Sequence, residues 1–150
     1  MKKFRFSLET VLDYKQQVLD ALRIEHAAAQ AKARAQEERL RSLERQHEEL
    51  DAEFSQRKLE GITVLDAMKD EQYLRAAERA IEEAEAVLED LRRQEEAKRA
   101  QVVEAKKETA SIEKLREKKL SGYNKALQKS EEAMIDEFVS TKRAMEAQTA

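Results

Sequence analysis

Apolar and small residues recur along the first third of the chain at alternating steps of three and four. They run through Leu12, Leu19, Leu22, Ala29, Ala33, Leu40, Leu43, Leu50 and Phe54, with Lys15, His26, Gln36 and His47 as polar members of the same series. A 3-4 period over so many turns is the seam of a coiled coil, polar in places. Ser7 ahead of Glu9 has the look of an N-cap, and Phe6 and Val11 sit at staple spacing.

The stretch "RKLEGITVLD" (57–66) decides whether this seam belongs to one long helix or to two. Carried past Gly61 unchanged, the register lands on Arg75, Glu78, Glu82, Glu85 and Glu89, all charged. The apolar series resumes one residue out of phase, through Leu74, Ala77, Ile81, Ala84, Leu88, Leu91, Glu95, Lys98, Val102, Ala105, Thr109 and Ile112. Thr63 with Asp66 three residues on resembles a capping box, which marks a new helix start. Glycine alone costs only about 1 kcal/mol inside a helix, but glycine, a phase break and a fresh cap together specify a turn. Folding about residue 62 brings Leu50 to Leu74, Leu43 to Ile81, Leu22 to Val102 and Leu12 to Ile112. Large then faces small at Leu40 with Ala84, Ala33 with Leu91 and Leu19 with Ala105, which keeps the layers even in volume. His26 falls opposite Lys98 and Ala29 opposite Glu95, giving one polar notch.

The pattern therefore specifies an all-α chain: a long antiparallel two-helix coiled-coil hairpin with an overhanging C-terminal helix. It forms one unit over 1–150, with a first helix at about 7–59, a turn at about 60–63 and a second helix at about 64–146. Pairing is expected to end near Leu8 with Leu115, leaving roughly 30 residues, or about 45 Å of helix, without a partner. A four-residue stutter follows Ile112, through Leu120, Tyr123, Leu127 and Met134. Met134, Ile135, Phe138 and Met145 then give the tail an apolar surface, which is a binding surface by default. Because the seams match within one chain, a monomer is expected for the isolated protein.

Composition narrows the function classes. Of 150 residues 41% are charged and 5% aromatic, with no Cys, Pro or Trp, a coiled-coil composition too poor in large apolar residues to wall a catalytic pocket. The formal charge of -3 and sequence pI of about 5.6 argue against nucleic-acid binding. "MKKFRFSLETVL" lacks the apolar run of a signal peptide, and no stretch approaches the roughly 20 apolar residues of a membrane span. A soluble cytoplasmic protein is the default. His26 and His47 lie too far apart on one helix to share a metal, and no phosphate loop, HExxH or nucleophile motif is present. No catalytic residue, cofactor or metal is expected. Charge is uneven: residues 66–96 are acid-rich, whereas 106–129 carry eight Lys and Arg against three Glu. Lys2, Lys3 and Arg5 fall beside that basic run. Such charge runs are most often solvated faces, but the asymmetry suits orientation on a partner.

Three segments carry a resemblance. "FRFSLETVLDYKQQ" at the start, "EKLREKKL" at 113–120 and "MIDEF" at 134–138 resemble, in order, landmarks of the FliJ family of flagellar export proteins. That resemblance implies a non-enzymatic part of the type III flagellar export apparatus, serving motility and chemotaxis. Proteins of that family are similar in shape to the rotary stalk of F- and V-type ATPases. The implied partners are the export ATPase ring (FliI-like), the cytoplasmic domain of the export gate (FlhA-like) and export chaperones, with no nucleic acid and no membrane insertion. The implied location is cytoplasmic, peripheral to the inner face of the cell membrane at the flagellar base. By alignment the gate surface would map to Arg39, Leu43, Gln46 and Leu50 on the first arm and Tyr73, Ala77, Ala80 and Ala84 on the second. The ATPase-facing end would be the open end, with Arg116, Lys119, Tyr123 and Phe138. A generic scaffold or cytoskeletal coiled coil, or the equivalent stalk of a virulence-type secretion system, are the alternatives.

Overall fold

The computed structural model describes residues 2–149 and consists of two helices, α1 (Glu9–Glu60, 52 residues) and α2 (Val64–Thr149, 86 residues). They pack against each other as an antiparallel hairpin, with no strand among the described residues. All thirteen seam positions expected on α1 and all twelve on α2 are buried or half-buried, and the five charged residues of the rejected continuous register are exposed. The phase break thus fixes which face each helix buries. Contacts divide the chain into two units, one holding residues up to Leu19 with those from Glu104 onward, the other Asp20–Val103.

In the second unit the connection is three residues long. Gly61 has φ +97°, the left-handed conformation that ends helices and that side chains resist. An added Cβ would meet nothing within 4 Å, so backbone preference alone requires glycine. The Thr63 hydroxyl accepts the Asp66 N–H at 3.1 Å, capping α2. Beside the turn, Phe54 and Asp70 share a layer, each 4% exposed. Arg57 donates to Asp70 Oδ1 at 2.7 Å and stacks 4.7 Å over the Phe54 ring. Asp70 lies one step ahead of the series that begins at Leu74, and its charge hid a seam position that spacing alone would have found.

The polar notch is built differently from its expected pairing. His26 Nε2 bonds to Glu95 at 2.8 Å, and Lys98 reaches Glu25 at 2.8 Å. Long side chains lean along the seam and satisfy one another a layer away. Since a carboxylate only accepts, His26 Nε2 carries the proton. That bond, with Arg99 nearby, holds the Glu95 carboxyl below the usual carboxylate range. Arg92 does the same for Glu37. A carboxylate depressed in the folded state stabilises it above the unfolded value and loses that contribution as pH falls through the folded value. The melting temperature should therefore drop between about pH 5 and about pH 3, and Glu95→Gln should shrink that drop in a circular-dichroism pH series. An equal drop in both proteins would mean the notch carries no pH-linked stability. In the first unit Lys15 bonds Glu108 at 2.8 Å, which raises its pKa. That contribution has the opposite sign and fades only as pH rises through the raised value.

The N-terminus differs from the expectation. Ser7 does not cap: the Glu9 N–H bonds the Phe6 carbonyl at 3.2 Å, and the first helical bond runs from Leu12 N–H to Leu8 O at 2.8 Å. Residues 2–8 instead form a non-helical strap in which Phe4, Phe6 and Leu8 are half-buried while Lys3, Arg5 and Ser7 are exposed. That period of two marks extended chain with one covered face. The Phe4 ring lies 5.5 Å from Tyr123, and the Tyr123 hydroxyl donates to the Lys2 carbonyl. Pairing thus continues past Leu115 to Tyr123, and the bare tail, which starts after half-buried Leu127, is shorter than expected. Every residue from Gln128 to Thr149 is exposed, about 33 Å of helix at 1.5 Å per residue.

Candidate partner-binding surfaces

Three of the twelve expected contact residues converge in the first unit. Arg116 Nε donates to Glu9 at 2.9 Å, and its guanidinium lies 5.9 Å over the Phe4 ring. Tyr123 anchors the strap as described. Lys119 lines, with Tyr123 and Leu115, a cavity of about 670 Å³ whose other wall is the strap. Lys2, Lys3 and Arg5 ring it, and no carboxylate lines it among the described residues. Arg116 and Tyr123 are therefore held in place by the chain itself, and Lys119 is the exposed member.

Phe138 stands apart from these three. It is 70% exposed, and Met134, Ile135 and Met145 beside it are similarly bare. Met134, Phe138 and Met145 continue the face of α2 on which Leu120 and Leu127 lie, by helical spacing. The stripe that α1 and the strap cover earlier along α2 runs on here uncovered.

In the second unit the expected gate residues fall on both sides of the seam. Arg39, Leu43, Ala80 and Ala84 line one shallow groove with Val87, and the Gln36 side chain donates to the Ala84 carbonyl there at 3.0 Å. Leu50 and Tyr73 line a second depression over Phe54 and Asp70. Ala77, Leu43 and Leu50 are half-buried seam residues, and Ala80 is half-buried next to the seam position Ile81. Ala84 is 5% exposed and serves packing between the helices. Arg39, Gln46 and Tyr73 are the accessible members.

Two features escaped the sequence reading. The strap was visible in the alternation of "KFRFSL", which a helix-period reading passes over. Leu59, Val64, Leu65 and Met68 stand exposed around the turn, and only their spacing off the seam marks them. No group of three or more His, Cys, Asp or Glu side chains is placed to hold a metal ion among the described residues. No helix among them is long and apolar enough to cross a membrane.

Comparison with curated proteins and with solved structures yields no match. Most of the strap, the paired seam, the basic run and most of the bare tail lie within residues 4–147, which match the family profile described as flagellar FliJ protein, and the chain belongs to that family of flagellar export components.

Proposed function

We propose that this chain is the stalk of the flagellar export ATPase ring (FliI-like), its tail end entering the ring. Its shaft reaches the cytoplasmic domain of the export gate (FlhA-like) and receives export chaperones. The observation that carries this reading is the bare end of α2, where every residue from Gln128 to Thr149 is exposed and Met134, Ile135, Phe138 and Met145 await a partner. A helix offering an apolar stripe on a rigid support is suited to a groove or bore in another protein. The gate contact rests on Arg39, Gln46 and Tyr73, which reach solvent, Arg39 and Tyr73 each lining a shallow groove. Each helix finds its partner within the chain, so the shaft has no seam left for a second copy, and the protein engages the ring as a monomer. Through these partners it sits at the inner face of the cell membrane without inserting.

Hydrolysis of ATP by the cognate hexameric export ATPase, titrated with this protein, tests the reading. Phe138→Ala should raise the concentration for half-maximal stimulation about tenfold, the cost of losing a central aromatic anchor. Glu82→Ala, on the exposed outer face of α2, should leave the curve unchanged. Equal curves for the intact protein and Phe138→Ala would remove the tail from the contact.

A further inference from the structure

The structure points to a ligand for the strap cavity, and we propose that it is the tail of a second copy of this chain, residues 131–138. The cavity has an apolar floor of Phe4, Phe6, Leu8 and Leu115 and a rim of Lys2, Lys3, Arg5 and Lys119, all four of these cations being exposed. Such a site selects an acidic segment with apolar anchors. The segment "EEAMIDEF" has that composition: Glu131, Glu132, Asp136 and Glu137 flank Met134, Ile135 and Phe138. All of it is exposed.

A chain cannot satisfy its own cavity. Lys119 and Met134 lie on one uninterrupted helix, about 22 Å apart at 1.5 Å per residue, and nothing between them breaks the helix. The tail must come from another molecule. Two α2 helices laid antiparallel, crossing near Leu127, put each tail beside the other's cavity. Both contacts then form at once, the self-complementary arrangement of a two-fold pair. That crossing sets residues 131–137 beside 117–123 of the other copy, where Lys118 and Lys119 outnumber Glu117, so the acidic segment meets net basic charge in both directions. Each shaft remains a one-chain hairpin, so the pair forms only as concentration rises, and it hides the apolar stripe that a free tail would expose. This association does not depend on the stalk reading, although a tail occupied in this way is closed to any other partner.

Charge exchange between two full-length variants tests it. Lys119→Glu sets acid against acid, and the double variant Asp136→Lys, Glu137→Lys sets base against base. All these positions are exposed, so helicity should match the original protein. Sedimentation equilibrium of the unaltered protein should show mass rising from one chain towards two with concentration, less so as salt goes from about 50 mM to about 500 mM. Each variant alone should weaken association at least tenfold, and an equimolar mixture of the two should restore it as a mixed pair. A single-chain mass for the unaltered protein up to about 0.5 mM, far above the affinities of specific contacts, would overturn the proposal, as would a mixture no heavier than its parts. Shielding of Lys119 from acylation only when the export ATPase is added would assign the cavity to the ring and overturn it equally.

Discussion

A chain ending at Lys129 should fold as the intact protein does and should no longer stimulate the export ATPase. Both halves of this expectation follow from where burial stops. Among the described residues Leu127 is the last half-buried one, and all those from Gln128 to Thr149 are exposed, so a cut after Lys129 removes no buried side chain. The melting temperature should stay within about 2 °C, the scale of a few tenths of a kcal/mol in a chain of this length. Stimulation should fall to the level of the ATPase alone, because Met134, Ile135, Phe138 and Met145 leave together. The position of the cut matters. Ending at Leu120 would also remove Tyr123, which holds the strap by its ring and its hydroxyl, and would mix loss of folding with loss of contact. Measured side by side in thermal melts and ATPase titrations, a truncated protein that stimulates as well as the intact one would show that the tail is not what enters the ring.

The second large effect is expected beside the turn. Phe54→Ala should lower stability by about 3 kcal/mol, as truncation of a buried Phe does. Phe54 is 4% exposed, and its ring supports the Arg57 guanidinium that neutralises Asp70. Asp70 Oδ2 and Arg57 Nε already lack a protein partner among the described residues, so this layer has no polar bond to spare when the ring is gone. The urea midpoint should fall with little change in the slope of the transition. Glu82→Ala should change stability by less than about 0.5 kcal/mol, as exposed positions do. A Phe54→Ala midpoint as little changed as that of Glu82→Ala would show that the pairing next to the turn contributes nothing to stability.

How far the sequence reaches differs along the chain. Between Leu12 and Ile112 the seam, its phase break and its midpoint were all legible, because a two-helix hairpin has one buried face per helix and a period of 3.5 identifies it. The ion pairs that cross the seam, such as Lys15 with Glu108 and Arg57 with Asp70, have residue numbers summing to within a few of 124, as a midpoint at residue 62 requires. Which polar residue meets which was not legible. His26 reaches Glu95 rather than facing Lys98, because side-chain length lets neighbours trade partners at little cost. The strap was missed because its period of two is short and lies beside a convincing helix start. Among the candidate contacts, spacing placed Leu43, Leu50, Ala77 and Ala84 on the seam, and their burial follows from that. Exposure of Arg39, Gln46 and Tyr73 follows from the same geometry, whereas the gathering of Lys119 and Tyr123 around a cavity depended on the strap.

Among the described residues no side chain is shielded to below 2% exposure. A two-layer seam is everywhere one residue from water, and each layer touches only the layers next to it. Stability then accrues step by step along the length, as in repeat proteins, rather than from one interlocked centre. Substitutions at different layers have few shared partners through which to interact. Evolution can therefore exchange Leu for Ala at one seam position and Ala for Leu at the position facing it, many times over and in any order. Descendants of such a chain keep its rhythm long after they have lost its spelling.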